Sequence, residues 1–150
     1  MVRSTEGKHP LYYEAVLQLR DVSYDAVRFV EDEIGMKKIS VAKKEKVKNG
    51  FDYYLADGDF TRALGKKLQG KFGGEFNLTS SLFGRKEGKE IYRITVLFRG
   101  IPFKKNNLVE YKGDQYNILS LGKDIMLKEV KTGKRIHLKY KEMGLVKKVD

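Results

Sequence analysis

The sequence holds two histidines, His9 and His137, and no cysteine. Acid–base catalysis needs an imidazole with a partner in reach. His9 stands beside Pro10 in a polar start and His137 in an alternating run, so neither has a partner within its local motif. Without cysteine, thiol nucleophiles, disulfides and cysteine-ligated zinc are excluded for this chain. Asp57 and Asp59 could ligate a cation, but no further carboxylates complete an oxygen cage, and a turn followed by a helix cap accounts for both. The stretch "GRKEGK" at 84–89 lacks the GxxxxGK[ST] pattern of a phosphate loop and falls at a hairpin tip. These residues predict a non-enzyme with no metal, no cofactor and no small-molecule substrate.

Cations are the more informative residue type. Lys and Arg number 31 against 20 Asp and Glu, a formal charge of +11, and the pI is about 9.7. Such a surplus attracts phosphate over long range, although it also serves plain solubility. Residues 1–100 carry 19 Lys/Arg against 14 Asp/Glu (+5), and residues 101–150 carry 12 against 6 (+6), so positive density is higher in the last third. A contact with nucleic-acid phosphate is therefore expected there, at Lys104, Lys105, Lys123, Lys131, Lys134, Arg135 and Lys139, where turns let lysines approach phosphate. Arg62, Lys66, Lys67 and Lys71 form an auxiliary set on a helix.

The elements that must position these side chains follow from periodicity. In "LYYEAVLQLR" the residues Tyr13, Ala15, Leu17 and Leu19 share one face, the period-2 signal of a half-buried strand over 11–20. Ser23 then suits an N-cap, and Ala26, Val27, Val30 and Ile34 line one side of a helix closed by Gly35. Its outer side shows Asp25, Glu31 and Asp32, which suits water or protein, not phosphate. A lysine-rich connector follows, with room for a short strand at Ile39–Val41. Phe51, Tyr53 and Leu55 alternate as a strand, and a helix over 60–70 sets Phe60, Ala63, Leu64 and Leu68 inward with Arg62 and Lys66 opposite. Lys67 is expected to snorkel at the margin and Lys71 to lie past the last turn. Gly73 and Gly74 stop that helix, and two long strands follow around the tip "RKEG".

The order strand, helix, strand, helix, strand, strand predicts an α/β sandwich over 11–101 after a flexible start at 1–10. Beyond it, turn signals at Gly113, Gly122, Gly133 and Gly144 divide the last segment into five short strands, which predicts a small all-β barrel of the SH3-like type over 102–150. The class is α+β. No apolar run approaches the ~20 residues of a membrane span and the start lacks a secretory h-region, so a cytoplasmic protein without a membrane partner is expected. Tyr12, Tyr13, Tyr53 and Tyr54 could stack on bases, but alternate members of each pair must point inward.

The run from "GFDYYLADGDFTRALGKKL" to "LFGRKEGKEIYRITVLFR" resembles the central region of the family of nonsense-mediated-decay protein three, the export adaptor of the large ribosomal subunit in eukaryotes, with archaeal relatives. The resemblance extends over about 12–149. It implies a first domain similar to the eukaryotic type of ribosomal protein L-twenty-two, and a second similar to the translation-factor-five-A-like domain of the family. It also implies a non-enzymatic assembly or binding factor whose partners are the large ribosomal subunit, ribosomal RNA and ribosomal proteins. A general RNA-binding module and a protein-only adaptor are the alternatives. Family members begin with paired CxxC zinc motifs, absent here, so zinc is expected only in a preceding region, and the chain is expected to be a piece cut after it or a relative that lost it. The lack of the eukaryotic tail signals points to an archaeal member. "TGKRIH" at 132–137 is similar to the "TGKHG" loop of translation factor five A whose lysine becomes hypusine, but resembles better the second, unmodified "TGKK" hairpin of that factor. The histidine-glycine context is missing and Ile136, Leu138 and Tyr140 continue a strand, so Lys134 is expected to stay unmodified.

Overall fold

The computed structural model describes residues 12–149, and the flexible start expected at 1–10, with His9, lies outside the described residues. Ala15, Leu17 and Leu19 are fully buried in strand β1 (Ala15–Arg20), and the residues between them face the other way. Helix α1 (Tyr24–Met36) begins at Ser23, whose hydroxyl accepts from the Ala26 backbone N–H at 3.2 Å. The helix runs through Gly35, where the sequence predicts its end. Lys37 N–H donates to Glu33 O at 3.1 Å and Lys38 takes a left-handed turn at φ 53°, so closure is achieved without glycine.

The lysine-rich connector is a strand in its own right, β2 (Val41–Val47), antiparallel to β3 (Gly50–Leu55). Its charges conceal it: an edge strand outside the core has no apolar alternation to read. Helix α2 (Gly58–Phe72) leads into the hairpin of β4 (Gly74–Lys86) and β5 (Lys89–Gly100). The sheet order is β2-β3-β1-β5-β4, with β1 parallel to β5 and the other neighbours antiparallel. Ala26 and Val30 of α1 and Leu64 and Leu68 of α2 share one core with Leu17, Leu19, Tyr53, Leu55, Val96 and Phe98, so both helices cover the same face.

Helix α2 is longer than the predicted 60–70 and is turned about its axis relative to the predicted arc. Its buried stripe is Thr61, Leu64, Gly65 and Leu68, while Ala63, predicted inside, is exposed. Gly65 explains the turn. A Cβ there would sit 2.5 Å from Val96 Cγ1 and 2.7 Å from Phe76 Cε2, so the helix backbone itself rests on the side chains of the sheet. A hydropathy arc gives glycine no weight and alanine some, which rotates the prediction. Asp57 caps the start by accepting from Phe60 N–H at 3.0 Å, and Gly73, at φ 73°, ends the helix.

The second unit comprises β6 (Leu108–Tyr111), β7 (Asp114–Leu121), β8 (Ile125–Glu129), β9 (Arg135–Leu138), a 3-10 helix (Tyr140–Leu145) and β10 (Val146–Lys148). Its strands form one antiparallel sheet, order β10-β6-β7-β8-β9, over a core centred on Val109, Ile118, Ile125 and Leu127. The unit is all-β apart from that 3-10 helix, as expected, and its sheet is not a closed barrel. Among the described residues no ladder joins β9 to β10; between those strands the chain forms the 3-10 helix, which buries Met143 in the core. The two units meet at Gly73: a Cβ there would lie 2.7 Å from Leu121 Cβ and 3.2 Å from Tyr140 Oη.

Candidate nucleic-acid interface

The densest group of cations lies on the β8–β9 hairpin. Pairing sets Lys128 directly opposite Arg135, and Lys131 and Lys134 occupy the connecting turn; all four are exposed. Like charges facing across a ladder cost up to ~1 kcal/mol. Among the described residues none of the four has a salt bridge. The backbone is tied independently of them: Glu129 N–H donates to Lys134 O at 2.8 Å, Gly133 N–H to Glu129 O at 2.9 Å, and Lys134 N–H to Thr132 Oγ1 at 3.2 Å. The turn is thus held by its main chain and leaves the ammonium groups free to meet an anion. Glu129 and Asp114 line a small cleft of about 270 Å³ beside Lys131 and temper the field on that side. Lys128 is absent from the sequence prediction; the alternation of buried Ile125 and Leu127 marks it as outward, but only the β8–β9 register joins it to Arg135.

Two further groups flank the contact between the units. On one side, a cleft of about 530 Å³ gathers Lys71, Lys104 and Lys105 beside Ser23 and Ala26 at the start of α1, with Asp21 and Asp25 also on its wall. On the other, Lys123, Lys139 and Lys141 line a cleft of about 310 Å³ with Gln69, Glu75 and Tyr140. Tyr140 Oη donates to the Gly122 carbonyl and pins that side; burial pushes its pKa up, and backbone hydrogen bonds at Gly74 and Gly122 partly offset this.

The cations of α2 do not act as one face. Lys67, predicted to snorkel along the apolar arc, instead reaches Glu33 of α1 at 3.3 Å. Arg62 lies in a cleft of about 630 Å³ that also holds Glu14, Asp59, Glu87 and Glu90. Lys66 is exposed. Lys71 falls in the last turn, not past it, and its ammonium lies 5.2 Å from the Phe29 ring centroid.

The tyrosines are engaged inside the protein. Tyr53 is buried, and its hydroxyl has no hydrogen-bond partner among the described residues; burial pushes its pKa up, and Glu31 adds to the shift. Tyr13 meets Tyr54 edge to face at 5.0 Å, and the Arg93 guanidinium is sandwiched between the rings of Tyr13 (3.7 Å) and Phe83 (3.6 Å) on the sheet face away from the helices. Tyr12 Oη donates to Glu14 Oε2 at 2.7 Å. His137 is exposed opposite Met126, and among the described residues no three His, Asp or Glu side chains group to hold a metal ion. No helix among the described residues is long and apolar enough to cross a membrane.

A family model described as NMD3, second domain, matches residues 12–99. That span takes in the first sheet and both helices, and the β8–β9 hairpin lies outside it. No curated protein matches the chain.

Proposed function

The chain belongs to the NMD3 family, which carries a ribosome-related adaptor role, and from that premise we propose a non-enzymatic module that holds the large ribosomal subunit through ribosomal RNA and neighbouring ribosomal proteins. The observation that carries the RNA contact is the β8–β9 hairpin, where Lys128 faces Arg135 with Lys131 and Lys134 beside them and no acid paired to any of the four among the described residues. An unneutralised cluster on a fixed turn favours a polyanion, because phosphate relieves the repulsion that the fold otherwise bears. Structured RNA is met mainly through shape and backbone, so a turn of lysines and an arginine suffices without exposed stacking rings. Lys104, Lys105, Lys123 and Lys139, on the two sides of the junction, extend the track toward the first unit. The outer side of α1, with Asp25, Glu31 and Asp32 exposed, suits a protein contact.

Co-sedimentation with purified large subunits over a salt series tests the reading. The parent chain is expected to pellet with the subunit and to release with salt. Changing Lys131, Lys134 and Arg135 together to Glu is expected to weaken binding by about 100-fold at low salt and to lower the slope of log affinity against log salt by about 2–3, one phosphate contact per cation. Equal binding by parent and variant at every salt concentration overturns the hairpin as the RNA contact. Binding that ignores salt in both overturns RNA as the partner and leaves the protein-only adaptor.

A further inference from the structure

The two units are joined by residues 101–107 and touch again at the end of α2. The covalent joint is short. On one side Gly100 pairs with Gly74, and a Cβ on it would lie 2.5 Å from the Asp21 carbonyl oxygen, so it is fixed to the first unit. On the other side Phe103 is buried in the second core, Lys104 N–H donates to Asn107 Oδ1 at 2.9 Å, and Asn106 N–H donates to Ile118 O at 2.8 Å. Ile101 and Pro102 lie between these anchors. Proline fixes its own φ and biases the residue before it to extended backbone, so few conformations are open to this swivel.

The second contact is closer. Gly73 is buried, and a Cβ there would lie 2.7 Å from Leu121 Cβ, an atom next to the main chain that cannot rotate away. The same Cβ would lie 3.2 Å from Tyr140 Oη. The Tyr140 ring packs against the second core, and its hydroxyl donates to the Gly122 carbonyl of its own unit. The backbone of Gly74, in the first unit, also hydrogen-bonds that hydroxyl. A hydroxyl has one proton to give, so toward Gly74 it acts as acceptor. A ring anchored in one unit therefore ends on the main chain of the other.

We infer that Tyr140 latches the two units into one body, with Ile101 and Pro102 as the swivel about which they turn when the latch is open. Units joined by one linker move against each other unless a contact opposes it. Here clefts of about 530 and 310 Å³ flank the contact and leave room on both sides. The seat on Gly73 and the latch on Gly74 are what hold the units still. Closed, the latch keeps Lys71, Lys104 and Lys105 of one cleft at a fixed spacing from Lys123, Lys139 and Lys141 of the other, whatever their partner.

The chain has no cysteine, so two introduced cysteines can carry nitroxide labels in the whole chain, and pulsed electron resonance reads the distance between them. Lys66→Cys on α2 with Glu110→Cys on β6 spans the joint. Lys66→Cys with Lys46→Cys on β2 stays within the first unit, and Glu110→Cys with His137→Cys on β9 within the second; all four positions are exposed. With Tyr140 in place the spanning pair is expected to give one peak as narrow as the two within-unit pairs. Tyr140→Phe keeps the ring and loses the hydroxyl, and is expected to widen the spanning peak about 2-fold while both within-unit peaks stay unchanged. Gly73→Ala is expected to displace the spanning peak by about 1 Å or more, the step from 2.7 Å to an ordinary carbon contact. A spanning peak already broad with Tyr140 in place overturns the single body. A peak that stays narrow in Tyr140→Phe overturns Tyr140 as the latch, and so does a widening shared by a within-unit pair, which would make the hydroxyl a support of its own unit only. An unmoved peak in Gly73→Ala overturns the seat.

Discussion

Helix α2 carries Arg62, Lys66, Lys67 and Lys71, and the β8–β9 hairpin carries Lys128, Lys131, Lys134 and Arg135. By count the two regions are equal. On the helix, Glu33 pairs Lys67, Arg62 shares its cleft with four carboxylates, and Lys71 turns away to the junction. On the hairpin the register sets two of the cations face to face and no described acid pairs with any of the four. A cationic field is thus decided by neighbours rather than by the number of lysines, because an exposed charge with an acid a few ångströms away projects little beyond one screening length of ~8 Å. The helix packs its buried stripe on the sheet, and the hairpin keeps the unpaired charge that the proposed contact needs.

The sharpest way to break that comparison is to damage each region in the other's terms. Leu64→Ala, in the buried stripe of α2, is expected to cost ~2–5 kcal/mol of stability in urea unfolding, while the triple reversal on the hairpin leaves the unfolding midpoint within ~0.5 kcal/mol of the parent. A stable Leu64→Ala protein would show that α2 is not the wedge its burial indicates. Gly65→Ala comes next: the added methyl meets Val96 and Phe76 well inside contact distance, and overpacking of that kind costs ~1–3 kcal/mol even though alanine is the better helix former.

Tyr53 gives a pH test of the same core. Its folded pKa is raised above 10.0 by burial, so above that pH the unfolded chain loses the phenolic proton first and binds fewer protons than the native state. Stability due to this group is full below pH ~10 and falls as pH rises, by up to ~1.4 kcal/mol per unit. Tyr53→Phe is expected to remove that part of the alkaline loss and to change stability at pH 7 by less than ~1 kcal/mol. Identical alkaline unfolding curves for parent and variant would contradict the burial of the hydroxyl. The smallest effect is expected from Arg62→Ala with Lys66→Ala: within ~0.5 kcal/mol in stability and under about 3-fold in subunit affinity, as one or two screened contacts at most are lost. A loss as large as that of the hairpin reversal would make α2 the grip and invert the comparison.

Local chemistry alone determined a good part of this protein. Alternation of Ala15, Leu17 and Leu19 marks a half-buried strand, Ser23 and Asp57 begin the two helices, Gly73 stops the second, and the turns at Gly88, Gly113 and Gly133 divide the strands; each rests on contacts within a few residues, which a chain carries wherever it folds. The concentration of positive charge after Gly100 is likewise a property of composition. Tertiary structure decided what depends on distant partners. β2 is a strand because β3 pairs with it, not because its residues alternate. The face of α2 is set by Val96 and Phe76 crowding Gly65, and Lys67 is neutralised by an acid 34 residues away. The second sheet stays open because the chain between β9 and β10 forms a 3-10 helix on the core. Lys128 joins Arg135 only through register, since pairing across a ladder is a relation between strands and no single strand contains it.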